Sequence, residues 1–451
     1  MEKTLTIRLH PVTDRHLQLR LMDGESLLGE RSLDIAAVDS LLATVNKHYH
    51  QFGDHKTLGD ELYRWLDGPT ERWLGEVRRR HRNLCLHIDV DARLRHLPWE
   101  LLCDGGQFLC ASARGFVVPV RRVGKFQSEA ADPANRPLRV LFMATSPEGV
   151  APVLDFEAEE GLILDATRRQ PIELLVEESG GLAGLGEQIS DRVADHFDVF
   201  HLTGHGDIHQ DTPVFVMEDG QGFRQLVTAR ELADAFGQRW PRLVFLSGCR
   251  TGESVDQGSL PSYCEALVQA GAPAVLGWAL PVGDRAASEA AAVLYGQLAI
   301  GESISAAVAA ARRALFERPE GPSPYWHLLR LYGDRTPLTA LVTPLRTVGR
   351  LSVATRAAQD EILDPEGKVK VCGRGEFVGR RRLLQRCLRV LRSFPGEDNY
   401  HLGVLLTGMG GLGKSSLAAR LCDRLPDHQR LVWVGRVDEV GFLARLGDRL
   451  D

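Results

Sequence analysis

The sequence lacks the patterns that direct a protein across or into a membrane. Its first ten residues, MEKTLTIRLH, contain no apolar signal-peptide core. The longest nearly apolar run, AGAPAVLGWALPVG at 270–283, is shorter than the ~20 residues of a membrane-spanning helix and contains two prolines. These absences predict a soluble, cytoplasmic protein that has no membrane partner.

Paired cysteines and basic stripes are absent as well. Eight cysteines are scattered over 451 residues without a CxxC pair, which indicates reduced thiols rather than a disulfide framework or a zinc ribbon. A formal net charge of −6 without a dense Lys/Arg run argues against a nucleic-acid partner. There is no low-complexity tract and no repeat. With 44% apolar residues, the chain is long enough for two or three domains.

The pattern of apolar and polar residues along the chain changes near residue 137. Before it, alternating residues in TLTIRL and HLQLRLM predict two strands of a small sheet, and TLGDELYRWL and ERWLGEVRRR have helical spacing. After it, nearly continuous apolar strands alternate with helices, which predicts an α/β fold with a mostly parallel sheet covered on both faces. The predicted strands are 138–145, 172–177, 197–204, 242–248 and 274–280; the predicted helices are 154–168, 183–195, 228–237, 260–271, 284–299 and 303–317.

A Pro- and Gly-containing stretch at 336–372 has weak periodicity and is predicted to be a linker. The sequence thus divides into an N-terminal β/α part (1–135), an α/β core (136–335), this linker and a C-terminal unit (373–451).

The C-terminal unit contains a phosphate-binding loop. GMGGLGKSS at 408–416 fits G-x-x-x-x-G-K-[ST], follows the predicted strand HLGVLLTG at 401–408 and precedes a helical pattern. Glycines leave room for backbone N–H groups to surround a phosphate, Lys414 reaches the outer phosphates, and the Ser415 hydroxyl binds Mg²⁺. The expected cofactor is ATP or ADP with Mg²⁺, and zinc is not expected. The predicted nucleotide-binding residues are Gly408, Gly410, Gly411, Gly413, Lys414, Ser415 and Ser416.

This unit is short for a nucleotide-binding domain. Only 36 residues follow Ser415 in the chain of 451, and none of them forms an apolar strand ending in an Asp that would hold the magnesium. Such domains normally need ~100 residues or more. We therefore expect an incomplete unit, a chain that is part of a longer protein, and doubtful nucleotide hydrolysis by this chain alone.

The stretch FHLTGHGD at 200–207 allows three interpretations. A zinc site is disfavoured, because His201, His205 and His209 have the spacing but no cysteine or third ligand type is nearby. His201 lies within an apolar strand and is expected to be a core residue. His205 instead falls at the carboxyl end of the predicted strand, before Gly206, where open α/β sheets place their chemistry.

A cysteine in the equivalent place favours a catalytic role for His205. Cys249 ends the apolar run LVFLSG and follows His205 by 44 residues, near the separation of about 50 in caspases. A thiol beside an imidazole can ionise, attack a peptide carbonyl, and pass its proton to the leaving amine. The backbone N–H groups of Gly206 and Cys249 are the candidate oxyanion donors.

Several segments over about 1–335 resemble the CHAT family of caspase-like cysteine peptidases, which are relatives of separase. They are LPWELLCD, FHLTGHGD, LVFLSGCRTG, EALVQAGAPAVLGWALPVGDRAA, AVLYGQLAIGESISAAVAAARRAL and WHLLRLYGD. The resemblance implies a caspase-like sheet over 136–335, with Cys249 as nucleophile and His205 as general base. It implies no catalytic role for His201, Asp207 or His209.

The resemblance also bears on substrate choice. An Asp in the segment matching PVGD helps to hold an arginine substrate side chain in separase-like enzymes, and Asp284 stands there. An ordinary N-cap before the Ala-rich helix is an equally good interpretation of Asp284. Ser247 departs from the metacaspases, which carry an Asp two residues before the cysteine, so their specificity does not transfer directly.

The segment FVGR at 377–380, followed by the phosphate loop, resembles the start of STAND-type (NB-ARC-like) signalling NTPases. In that class an FVGR-like segment packs near the adenine. The combination implies a nucleotide-switched cysteine endopeptidase that self-associates through its NTPase module. It would cleave a protein target, after a basic residue, in defence or cell death. The alternatives are a non-catalytic caspase-like adaptor and a plain ATPase with an N-terminal scaffold.

Overall fold

The computed structural model describes most of the chain with side chains. The described residues are 2–45, 47, 49, 54–112, 115–124, 131–151, 156–193, 196–237, 239–249, 263–280, 282–345, 362–364, 366–373, 377–397, 400–425 and 428–450. Within them, no helix is both long enough and apolar enough to span a bilayer.

Fifteen strands occur in these residues. They are β1 (Glu2–Pro11), β2 (His16–Asp23), β3 (Ser26–Asp34), β4 (Asn83–Asp89), β5 (Cys103–Asp104), β6 (Gln107–Phe108), β7 (Val117–Arg122), β8 (Leu138–Ala144), β9 (Ile172–Glu177), β10 (Val199–His209), β11 (Thr212–Glu218), β12 (Arg224–Thr228), β13 (Leu243–Cys249), β14 (Ala274–Trp278) and β15 (Leu329–Gly333).

The helices of the same described residues are α1 (Ile35–Val45), α2 (His55–Asp67), α3 (Trp73–Arg80), α4 (Ala92–Arg95), α5 (Phe156–Ala166), α6 (Leu182–Ser190), α7 (Ala229–Ala235), α8 (Tyr263–Gln269), α9 (Asp284–Ala299), α10 (Ile304–Phe316), α11 (Arg381–Arg392), α12 (Lys414–Asp423) and α13 (Glu439–Leu450).

One large, mostly parallel sheet runs through the described part of the chain. Its order is β12-β11-β10-β13-β14-β15-β7-β4-β1-β2-β3, with β8 beside β10 and β9 beside β8. The strands β9, β8, β10, β13 and β14 are mutually parallel, and β15 joins β14 antiparallel. The predicted α/β class with a mostly parallel sheet is therefore confirmed.

Helices cover both faces of this sheet. On one face α5, α9 and α10 share a core with Val140, Phe142 and Phe245, and on the other α6, α7 and α8 pack on Leu141, Leu202 and Leu246. Buried side chains alternate between these two cores along β8 because successive residues of a strand point to opposite faces.

The N-terminal strands belong to the same sheet and do not form a small separate one, contrary to the prediction. β15 pairs with β7 in parallel, Leu331 opposite Val120, and β7 leads on through β4 to β1. The reason is that parallel strands leave unpaired backbone groups at their edge, which a neighbouring strand satisfies. Leu341 and Val342, within the predicted linker, are also buried in the core.

A buried ion cluster explains the signature LPWELLCD. Glu100 accepts hydrogen bonds from Arg121 Nη1 at 2.7 Å and Nη2 at 2.8 Å, and from Arg312 Nη2 at 3.2 Å. All three side chains are fully buried. The preceding Trp99 donates from Nε1 to the carbonyl oxygen of Leu94 at 2.9 Å. This cluster links β7 to α10, so the signature connects the predicted N-terminal part (1–135) to the predicted α/β core (136–335).

The predicted strand at 401–408 is not formed. Residues 401–409 pair with no strand among the described residues, and Leu402 and Leu405 are almost fully exposed. A strand needs a neighbour for its N–H and C=O groups, and the described residues supply none here. The glycine turn and the helix α12 that follow it are formed.

Candidate active site

The residues predicted as nucleophile and base lie side by side. β10 and β13 run parallel, and the last pair in their register is His205 opposite Cys249. Neighbouring strands are about 4.8 Å apart, so the two backbones meet at one point of the carboxyl edge. The side chain of Cys249 and residues 250–262 lie outside the described residues.

His205 does not end its strand, contrary to the prediction. β10 continues to His209 by exchanging partners: residues 199–203 pair with β8, and residues 205–209 pair with β11. Gly204 lies at this fork, where a side chain would overlap Thr145 Oγ1 and lie 2.6 Å from the ring of Phe215. The fork therefore requires a glycine immediately before the histidine.

The predicted oxyanion donors adjoin each other across the same edge. Gly206 follows His205 and pairs with Phe215 of β11, while Cys249 is the last residue of β13. Gly206 therefore follows directly after the residue that is paired with Cys249 in the register. Their role stays a prediction.

His201 is a core residue, as expected. It is fully buried, stacks on Phe245 with ring centroids 4.7 Å apart, and meets Phe142 edge-on at 5.0 Å. Burial lowers the pKa of His201 to about 3, so the ring is neutral near pH 7. Asp207 and His209 lie further along β10, where both are exposed.

A chain of hydrogen bonds connects the two site strands two residues before the paired His205 and Cys249. Thr203 Oγ1 donates to the carbonyl oxygen of Ser247 at 2.8 Å, and Ser247 Oγ donates to Glu159 Oε1 at 3.0 Å. Glu159 comes from α5 and is buried. Because Thr203 and Ser247 precede His205 and Cys249 by two residues each, this chain fixes the spacing of the strands beneath the site.

Sequence reasoning missed Glu159 and assigned no role to Thr203. The available signal was weak: an acidic residue in a helix after an apolar strand is commonly solvated. Only the fold shows that Glu159 faces the sheet.

Asp284 is the first residue of α9, and the N-cap is Gly283, which offers no side-chain hydrogen bond. The N-cap interpretation of Asp284 is therefore wrong by one residue. The helix follows β14, the strand next to β13, which leads to the same edge of the sheet. The side chain of Asp284 is outside the described residues, and its substrate role stays a prediction.

The phosphate loop has the backbone that its glycines allow. Gly408, Gly411 and Gly413 adopt positive φ angles of 143°, 79° and 74°, and α12 begins directly afterwards at Lys414. Lys414 Nζ donates to the carbonyl oxygens of Gly408 and Met409 at 2.9 and 2.7 Å. A helix start, glycine N–H groups and one lysine fit a phosphate group.

The residues of the predicted phosphate loop differ in how accessible they are to a bound nucleotide. Ser416 Oγ accepts a hydrogen bond from the backbone N–H of Cys372 at 3.1 Å, which ties the helix to the preceding segment. Added side chains at Gly410 and Gly411 would meet no atom within 4 Å, so this part of the loop is open. Ser415, predicted to bind Mg²⁺, lies between Lys414 and Ser416 in the first turn of α12.

Phe377, the first residue of the FVGR motif, is buried and lines a crevice with Phe142, Phe156 and Val176. This side chain therefore packs against the α/β core, and the expectation that the FVGR segment lies near an adenine stays a prediction. In the described part of the chain, no cluster of three or more His, Cys, Asp or Glu residues could hold a metal ion.

Fold and site together define a mixed α/β protein in which a large, mostly parallel sheet carries a paired cysteine and histidine at its carboxyl edge. The family model described as the CHAT domain matches residues 56–334, and the chain belongs to this family. No curated protein matches the chain.

Two crystal structures of the Saccharomyces cerevisiae separase–securin complex are similar to parts of the chain. One is 16% identical with a TM-score of 0.32 and covers 56% of this chain and 15% of that chain. The other is 15% identical with a TM-score of 0.34 and covers 68% of this chain and 21% of that chain. The chain therefore spans about a fifth or less of the length of these proteins.

Proposed function

We propose that the chain is a cysteine endopeptidase that acts in the cytoplasm on a protein substrate and is controlled by its nucleotide-binding unit. The observation that carries the proposal is the register of β10 and β13, which sets His205 opposite Cys249 at the carboxyl edge. Membership of the CHAT family supports it.

The chemistry follows from these two residues. His205 removes the thiol proton of Cys249, and the thiolate attacks the carbonyl carbon of the substrate peptide bond. The oxyanion accepts hydrogen bonds from the N–H groups of Gly206 and Cys249. His205 then gives the proton to the leaving amine, the peptide bond breaks, and a thioester remains. Water, deprotonated by His205, hydrolyses this thioester and restores the thiol.

Control by nucleotide rests on the loop geometry. The N–H groups of Gly411 and Gly413 and the ammonium of Lys414 would hold the phosphates of ATP, and Ser415 would bind the accompanying Mg²⁺. The bound group supplies negative charge at the start of α12. We propose a STAND-like signalling role, with self-association through this unit, in a defence or cell-death pathway.

The substrate preference is proposed from Asp284. A carboxylate at the start of α9, next to β14, would attract a basic side chain on the amino-terminal side of the cleaved bond. Peptides ending in Arg, Leu or Asp before the reactive group would rank this preference directly.

The test is labelling with an acyloxymethyl ketone peptide ending in Arg, with and without ATP and Mg²⁺. We expect mass spectrometry to find the adduct on Cys249, no adduct in Cys249→Ala, and at least tenfold slower labelling in His205→Ala. Cys422→Ala is the matched control, since Cys422 is a partly exposed thiol outside the site, and it should label normally.

Equal labelling of Cys249 and Cys422, unaffected by His205→Ala, would contradict the peptidase and favour the adaptor. Lys414→Ala tests the nucleotide separately. We expect this variant to lose both ATP binding and the ATP-dependent labelling of Cys249. Full labelling of Cys249 without nucleotide binding would contradict control by nucleotide.

A further inference from the structure

The C-terminal unit docks on the peptidase core through one segment. The docking segment, residues 377–392, comprises Phe377 and the arginine-rich helix α11. Phe377 is buried and lines the crevice beside Phe142 and Phe156 described above. The guanidinium of Arg381 lies 5.1 Å from the centre of the Phe156 ring, a cation–π distance. The segment thus combines an apolar anchor with a charged one.

The charged anchor is a buried ion pair. Arg381 Nη2 donates to Glu218 Oε1, and Gln385 Nε2 donates to Glu218 Oε2 at 2.6 Å. Arg381 is 5% exposed and Glu218 is 2% exposed. The backbone of the core approaches closely as well: a side chain at Gly180 would overlap Arg381 Nη2.

Polar contacts flank this pair. The backbone N–H of Arg382 donates to Glu157 Oε1 at 3.2 Å, and Arg392 Nη1 donates to the carbonyl oxygen of Gly220. Arg389 Nη1 lies 3.3 Å from Glu148 Oε2 in a partly exposed pair. The acceptors come from α5 and from the loops after β8 and β11.

Glu218 is also connected to the histidine strand β10 through the loop after β8. The backbone N–H of Ser146 donates to Glu218 Oε1 at 2.7 Å. The preceding residue, Thr145, donates from its N–H to the carbonyl oxygen of Thr203 at 2.8 Å, and Thr203 stands two residues before His205. One carboxylate therefore touches both the docking segment and the loop next to the histidine strand.

The docking segment touches the phosphate-loop helix on its other side. Leu384 and Leu388 of α11 share a small core with Leu417 and Leu421 of α12. Arg392 Nη2 donates to the carbonyl oxygen of Arg424 just beyond α12 at 2.7 Å. Since α12 begins at the phosphate loop, a shift of this helix on nucleotide binding would move the docking segment with it.

We propose that Glu218 couples the nucleotide site to the cysteine–histidine pair through the docking segment. The interface between the docking segment and the core has two states, docked and undocked. A buried ion pair is either made or broken, because a partial separation leaves both charges desolvated without a partner. Nucleotide binding then changes the reactivity of Cys249 by shifting the docking equilibrium. This inference rests on the proposed function and names its regulation.

The experiment compares the rate of Cys249 alkylation by iodoacetamide, read by mass spectrometry, in the 451-residue chain without nucleotide and with saturating MgATPγS. We expect the two rates to differ about fivefold or more, the low end of allosteric couplings. In Glu218→Gln and Arg381→Met the ratio should approach one, while nucleotide still binds. Glu148→Gln, which removes only the exposed pair with Arg389, is the matched control and should keep the wild-type ratio.

Arg381→Met changes only the docking segment, so it should lose the ratio even if Glu218→Gln folds poorly. A ratio that survives in Arg381→Met would overturn the coupling, as would a wild-type ratio of one with nucleotide bound. Those results leave the proposed function standing. Absent nucleotide binding, or a Cys249 rate that does not respond to His205→Ala, would instead refute that function and the coupling with it.

Discussion

Replacing Glu100 by glutamine tests whether the buried ion cluster holds the N-terminal strands to the α/β core. Gln keeps the shape and one acceptor oxygen but leaves Arg121 and Arg312 without a compensating charge in a fully buried site. Breaking a buried ion pair by removing one partner costs about 3–5 kcal/mol. For a domain of this size that loss lowers the melting temperature by roughly 10 °C.

The assay is urea unfolding followed by tryptophan fluorescence, because the buried Trp99 is next to Glu100 in sequence. Glu30→Gln is the matched control. Glu30 pairs with Arg20 at 3.2 Å, but both side chains are about 40% exposed, so its loss should be roughly 0.2–1 kcal/mol. A loss below about 1 kcal/mol for Glu100→Gln would refute the cluster as a stabilising connection.

The same variant has a predicted pH signature. Burial by itself would raise the pKa of Glu100, but the guanidiniums of Arg121 and Arg312 lower it from the ordinary 4.5 to about 2. The carboxylate therefore stabilises the fold fully above pH 4.5, and this contribution is lost as the pH falls towards 2. The difference in unfolding free energy between wild type and Glu100→Gln should shrink over that range, and a constant difference would contradict the assignment.

Three further variants test the site. Ser247→Ala removes a buried donor from Glu159 and should cost about 1–3 kcal/mol in urea unfolding, whereas no loss would show that the hydrogen bond is unimportant. Gly204→Ala should cost about 1–3 kcal/mol because its methyl group overlaps a neighbouring hydroxyl, while Gly161→Ala, in an open helix position, should be neutral or stabilising in thermal melts. His201→Leu should leave the pH dependence of cysteine alkylation unchanged between about pH 5 and 8, since the pKa of His201 is lowered to about 3; a shifted midpoint would give that ring a role.

Elements whose residues are buried on both faces could be predicted from the sequence. IELLVE forms β9 over its predicted range, and the Ala-rich pattern at 284–299 forms α9. The local sequence of such segments is enough to predict their secondary structure, because nearly every position is apolar or the helical period is unbroken. The placement of His205 beside Cys249 followed from the same regularity, since two neighbouring apolar strands pair in parallel.

Features that depend on distant partners could not be predicted in this way. The continuation of β10 through Asp207 and His209 is polar and resembles a loop, yet it pairs with β11. The stretch 401–408 shows the opposite error: its apolar residues resemble a strand, but a strand forms only with a neighbour. Glu159 belongs to the same class, because its burial follows from where α5 packs.

The shared sheet has a practical consequence for dividing the molecule. β15 lies between β14 and β7, and all five of its residues are buried. Cutting the chain between residues 135 and 136 would strip away β7 and leave β15 as a bare apolar edge strand, a template for aggregation. Attempts to isolate residues 136–335 alone should therefore yield insoluble material, whereas truncation after residue 345 keeps β15 paired with both β14 and β7.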